Sequence, residues 1–157
     1  MKQKNLNTFE QGLEYAKKYC SLQENSAKDV KDKLIKKGLD YKTSEKIVGR
    51  LIEEDYINEQ RFADIYTRSK IRQSRWGRIK IKRMLMSKGI SLKYINKSFA
   101  AINEEEYKQV LEHLFNKKLS SLKVEDNYQR KYRLQYFLTS HGFETELIED
   151  LFKEYGL

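Results

Sequence analysis

Apolar residues in this chain recur at spacings of three and four, and no stretch alternates at period two for long enough to be a strand. The first run, Phe9, Leu13, Ala16 and Tyr19, predicts a helix opened by Thr8 or Asn7. Ser26 then caps a second helix whose buried face is Val30 and Leu34. Asp29, three residues on, makes an approximate capping box with Asp in place of Glu. Gly38 ends that helix in a left-handed cap. Thr43 or Ser44 opens a third helix through Ile47, Val48 and Leu51.

The same order returns twice. Asn58 caps a helix with Phe62, Ile65 and Tyr66, a second runs roughly from Trp76 to Lys88, and Ser91 caps a third with Tyr94, Ile95, Phe99 and Ile102. Asn103 then caps a helix with Glu104, Glu105 and Glu106 in its first turn, where negative charge suits the helix dipole. Val110, Leu111, Leu114 and Phe115 form its apolar stripe. Two helices remain, around Tyr128–Ser140 and Thr145–Tyr155, and Ser120–Asn127 is left as a loop.

This order is a repeat. Leu34-Ile-Lys-Lys-Gly38-Leu39, Leu85-Met-Ser-Lys-Gly89-Ile90 and Leu138-Thr-Ser-His-Gly142-Phe143 set their glycines 51 and 53 positions apart. Val30, Ile81 and Leu134 stand eight residues before each glycine; Val48, Phe99 and Phe152 stand ten after. Such a period signals stacked helical units. The expectation is an all-α chain of three tandem three-helix repeats, at 1–57, 58–102 and 103–157.

Composition adjusts this picture little. The chain is 39% hydrophobic and 35% charged, which suits an elongated chain of small units better than one large globule. There is no proline to interrupt a helix. Cys20 is the only cysteine, so no internal disulfide can form, which fits a reducing compartment. MKQKNLNTFEQ at the start has no apolar signal core, and no apolar run approaches the ~18–20 residues of a membrane span. The expected setting is cytoplasmic, away from any membrane.

Charge changes the picture more. From Arg68 to Lys97 there are eleven Lys or Arg, and no acid falls between Asp64 and Glu104. The chain carries +9 and this stretch alone +11, so the rest nets −2. A local cationic excess points to a polyanion or an acidic partner. On a helical wheel of Trp76–Lys88, Gly77, Ile81, Met84, Leu85 and Lys88 share one face, while Trp76, Ile79 and Met86 lie roughly opposite. Between them run two basic ridges, Arg75/Arg78/Lys82 and Lys80/Arg83, with Arg68, Arg72 and Lys88 near their ends. No acid within the helix can pair with them at i,i+4. Trp76, flanked by Arg75 and Arg78, is the aromatic held as a candidate stacking or partner contact.

Catalytic patterns are missing. There is no P-loop, no HExxH and no CxxC, and His113 and His141 have no second ligand at a metal-binding spacing. Cys20 reads as a small buried hydrophobe, and the eleven tyrosines read mostly as core or boundary residues. No cofactor is expected, and no enzymatic role.

Tyr56-Ile-Asn-Glu-Gln-Arg-Phe-Ala63, followed by Gly77-Arg-Ile-Lys-Ile-Lys-Arg-Met-Leu-Met-Ser-Lys-Gly-Ile90, resembles the RecX regulatory protein family. Ser26-Ala-Lys-Asp-Val-Lys-Asp-Lys-Leu-Ile-Lys-Lys-Gly38 looks like the family's first-unit phrase, and Arg133–Phe143 with Ile148 like its last-unit phrase. The resemblance runs from Thr8 to the end. Met84 stands where the family often has Glu, Ser140-His141 replaces a common Arg, and Leu22-Gln23-Glu24 lacks an arginine often found there. These departures leave the middle unit to carry more of the basic contact.

The resemblance implies an elongated, curved, right-handed-type helical array, acting as a monomer. It also implies a modulator, usually an inhibitor, of the RecA recombinase, bound to the RecA–single-stranded-DNA filament in DNA repair and the SOS response. Free DNA is a further partner on this reading. The alternative is a direct DNA-binding helix-turn-helix module, with Lys93, Tyr94 and Lys97 on its second helix. Most of the charge, however, lies on the helix before the turn.

Overall fold

A computed structural model describes residues 5–157; Met1–Lys4, and with them the start of the MKQKNLNTFEQ stretch, lie outside the described residues. Nine helices and no strand occur among the described residues: α1 (Phe9–Leu22), α2 (Ala27–Lys36), α3 (Tyr41–Glu53), α4 (Glu59–Arg72), α5 (Arg78–Ser87), α6 (Leu92–Ala100), α7 (Glu104–Ser121), α8 (Asn127–Ser140) and α9 (Thr145–Glu154). No helix among them is long and apolar enough to cross a membrane. The chain is all-α.

Most helix starts follow the local signals. Thr8, Ser26, Asn58 and Asn103 each accept a backbone N–H three residues on. The start of α3 differs. Asp40 accepts from the Thr43 N–H at 2.7 Å, so the helix opens before Thr43 and Ser44 and turns Ser44 into the core. Gly38, Gly89 and Gly142 all take positive φ (109°, 78° and 92°), the left-handed cap that the repeated phrase requires. Helix α7 runs on through Ser121, which shortens the expected loop to residues 122–126.

The contacts divide the chain into two compact units, Met1–Ile65 with Met86–Ile95, and Tyr66–Leu85 with Asn96–Leu157. In the first, α3 packs on α1 and α2 around Ala16, Val30, Leu34, Leu39, Ile47, Val48, Leu51 and Ile57. Arg61 bridges Glu24 and Asp55, and Lys88 reaches Asp29 at 2.9 Å. In the second, α8 packs on α7 and α9, and Ile81, Leu85, Tyr107, Phe115, Leu134, Leu138, Phe143, Ile148 and Phe152 are buried. The residues four and eight positions before each repeated glycine are at most 1% exposed in all three repeats, as the period requires.

Candidate functional site

The cationic stretch of the second unit centres on the start of α5. That helix begins at Arg78, two residues later than the periodicity predicts, because its entry is held by tertiary contacts. Arg75 takes the left-handed conformation (φ +54°), and the Trp76 N–H turns back to the Lys70 carbonyl at 3.0 Å. The Gly77 N–H then donates to the His141 carbonyl at 2.8 Å and the Ile79 N–H to the Gly142 carbonyl at 3.0 Å. Between them, the Arg78 N–H donates to the Tyr107 hydroxyl at 3.0 Å. The N–H groups that a helix start leaves unpaired are thus satisfied by the α8–α9 turn and by α7. A Cβ on Gly77 would run into the backbone of Gly142 and Phe143, so the approach demands glycine.

Around this contact the basic residues separate into groups. Arg78 is engaged. Its guanidinium donates to Glu144 at 2.9 Å and also to Glu104, and lies 4.0 Å from the centroid of the Tyr107 ring. The Tyr107 hydroxyl in turn donates to Glu144 at 2.6 Å. Burial works against the Arg78 charge, but the two carboxylates outweigh it and raise its pKa. Burial, and then the hydrogen bond to Glu144, raise the Tyr107 phenol too. Arg72 makes a bidentate pair with Glu106 at 2.6 and 3.2 Å, which pulls the Glu106 carboxyl below its ordinary value. Lys88 belongs to the first unit, where Asp29 pairs it.

Lys80 packs against a ring. Its Nζ sits 4.4 Å from the Trp76 ring centroid, and that of Lys70 sits 4.6 Å from the same ring. Two ammonium groups on one half-buried indole is a cation–π arrangement that holds positive charge beside an aromatic. Arg68, Arg75, Lys82 and Arg83 make no ion pair among the described residues; Arg75 is half-buried and the other three are exposed. The ridge Arg75/Arg78/Lys82 is therefore not one surface. Arg78 faces inward to acids 26 and 66 residues away in sequence, and Arg75 precedes the helix. The cationic surface that remains available is Arg68, Arg75, Lys80, Lys82 and Arg83, with Trp76 among them.

Sequence relatives and solved structures bear on the family and the fold. The family descriptions "RecX, second three-helix domain" and "RecX, third three-helix domain" match residues 58–97 and 104–152. The chain belongs to the RecX family. It is 33% identical to a regulatory protein RecX of Clostridium tetani over 138 residues, covering 87% of this chain and 63% of that protein. It is 33% identical to one of Streptococcus uberis over 144 residues, covering 90% and 54%. The chain spans roughly half to three-fifths of the curated relatives it matches. A crystal structure of RecX from Lactobacillus salivarius superposes with a TM-score of 0.81 at 23% identity, over 93% of this chain and 95% of that one. A crystal structure of regulatory protein RecX superposes at 0.83 and 22%, over 90% and 71%. At such identities these two carry the fold, and the fold is that of RecX.

Two sequence readings change in this RecX chain. Cys20 is half-buried rather than buried. Burial, and then the charge of Glu24, push its thiol up to about 11. Tyr107 and Glu144, which anchor Arg78, carried no local signal. Tyr128, Tyr132 and Tyr136 are exposed rather than core or boundary residues. That signal was present in the sequence: the repeat places Leu134 and Leu138 on the core face, so tyrosines two residues from each must point away. Among the described residues, no group of His, Cys, Asp or Glu could hold a metal ion.

Proposed function

We propose that this chain is a regulator of the RecA recombinase that binds the RecA–single-stranded-DNA filament. On this reading it chiefly inhibits the filament's ATPase, strand-exchange and coprotease activities and performs no catalysis of its own. The observation that supports it is the cationic surface of Arg68, Arg75, Lys80, Lys82 and Arg83 around Trp76, in a chain whose family is named for regulation. These side chains meet few acids of their own, so a phosphate-rich partner would neutralise them. Binding one state of the filament more tightly than another is sufficient for regulation. The proposal includes domain boundaries at 57/58 and 102/103, a monomeric protein and a cytoplasmic site of action. Duplex reading by a helix-turn-helix has less support, because α6 offers only Lys93 and Lys97 while the cations gather on α4 and α5.

The test is single-stranded-DNA-dependent ATP hydrolysis by the cognate RecA, with this protein added below stoichiometry. Suppression that weakens steeply with salt is expected, because each neutralised phosphate releases counterions. The variant Arg75→Glu/Lys82→Glu/Arg83→Glu should lose suppression with an unchanged helical CD spectrum. Full suppression by that variant would remove the surface from the mechanism. No suppression by the parent chain, together with sequence-specific duplex binding, would favour the helix-turn-helix reading instead.

A further inference from the structure

Helix α8 turns a row of aromatic rings to solvent. Tyr128, Tyr132 and Tyr136, each four residues from the next, are 79%, 65% and 70% exposed. Leu134 and Leu138, on the opposite face, are fully buried. No phenol of the three makes a hydrogen bond, and no ring of the three meets another ring, among the described residues. Single exposed aromatics are common on any surface, but three in register on one helix form a contiguous patch.

Within the helix the charge has one sign, while Asp126 at its N-cap accepts from the Tyr128 N–H at 3.1 Å. Helix α8 holds Arg130, Lys131 and Arg133 and no Asp or Glu. Arg130 is turned to the Val124 carbonyl and to Asn127. Lys131 and Arg133 are exposed, and at about 100° per residue they fall on either side of the tyrosine row, Lys131 with its ammonium 5.1 Å from the Phe152 ring centroid. Aromatic faces bordered by cations are the chemistry that holds unpaired nucleic acid, with bases stacking on the rings and phosphates meeting the charges.

We propose that the outward face of α8 binds an unpaired nucleic-acid strand, one base on each of Tyr128, Tyr132 and Tyr136, with Lys131 and Arg133 facing its phosphates. The spacing favours this occupant. Rings four residues apart on a helix lie ~6 Å apart along its axis. Successive nucleotides of a duplex strand lie only ~3.4 Å apart along the duplex. A strand whose bases are unstacked and splayed can meet this pitch, whereas a duplex keeps its base faces covered. The site needs no RecA and uses none of the α4–α5 cations, so it goes beyond the filament reading.

The experiment therefore omits RecA. Fluorescence anisotropy would follow a dye-labelled oligothymidine, and an abasic oligomer of equal length and charge, titrated with the whole chain. The parent should bind oligothymidine more tightly. Tyr128→Ala/Tyr132→Ala/Tyr136→Ala should lose at least about tenfold in affinity and no longer distinguish the two oligomers, since each stacked base contributes severalfold or more. The corresponding triple Phe variant keeps the rings and should bind like the parent. Because the three side chains are exposed, the Ala variant should keep the parent's melting temperature. Equal binding of both oligomers by the parent would overturn the proposal. So would parent-like oligothymidine binding by the Ala variant, or a sedimentation shift showing that the row joins two copies of this chain. The RecA assay of the preceding proposal is read separately, so either reading can fail alone.

Discussion

Arg78→Ala tests the division of the basic stretch most directly. Read from the sequence, Arg78 is one cation of a solvent ridge, and its loss should leave stability untouched. In the structure its side chain is 19% exposed and Glu144 is 23% exposed, while Glu104 is 63% exposed. The Glu104 arm is well solvated and contributes at most ~1 kcal/mol. The Glu144 arm is a charge-assisted hydrogen bond in a drier place, for which ~1.5–3 kcal/mol is typical. Truncation would leave Glu144 with only the Tyr107 hydroxyl, and the Tyr107 ring without its cation. The summed loss is about 2–4 kcal/mol. For a chain of 157 residues each kcal/mol lowers the melting temperature by ~2–4 °C, so a fall of ~5–15 °C is expected. Trp76, the only tryptophan, lies two residues away in the same unit, so its fluorescence reports that unit's melting. Glu144→Gln should cost less, because an amide oxygen still accepts from Tyr107. Lys82→Ala should stay within ~0.5 kcal/mol of the parent. An Arg78→Ala variant that melts within ~2 °C of the parent would refute the assignment of Arg78 to the scaffold.

Other outcomes follow from the same contacts. Gly77→Ala should destabilise by at least ~2 kcal/mol in a denaturant titration, since its Cβ would displace the Gly142 backbone and break the Gly77–His141 hydrogen bond. Cys20, with its thiol pushed up to about 11, should be only ~0.1% thiolate at pH 8, so alkylation should be slow and quicken as pH rises. Glu106, Glu54, Asp55 and Asp40 all have carboxyls held below their ordinary values, led in turn by hydrogen bonds from Arg72, Lys17, Asn58 and Thr43. A depressed folded-state pKa stabilises above the unfolded value and is lost as pH falls through the folded one. Melting temperature should thus hold from neutrality to about pH 5 and drop below it, and Arg72→Gln should flatten the Glu106 share of that drop.

How far the sequence reached is plain from particular residues. The repeat placed Val30, Ile81 and Leu134, and Leu34, Leu85 and Leu138, on the core faces, and the three left-handed glycines followed from the same phrase. Family membership was legible because those phrases stand in order at fixed spacing. These are local properties: helical periodicity, capping and the φ freedom of glycine act over a turn or two of chain.

Which cations stay available was decided only by the fold. Within α5 no acid could neutralise Arg78, yet Glu104 and Glu144 arrive from other helices, as Glu106 does for Arg72. Charge pairing depends on distance in space, and residues 26 to 66 positions apart carry no periodic signal of their meeting. The same holds for the close approach of Gly77 to Gly142, which shortened α5. The tyrosines of α8 differ: their spacing alone describes a buried stripe as well as an exposed one, but the repeat that puts Leu134 and Leu138 on the core face turns them outward, and those two leucines are fully buried. Sequence determined the helices and their repeat; tertiary structure determined which charges are left for a partner, because that depends on what the other helices cover.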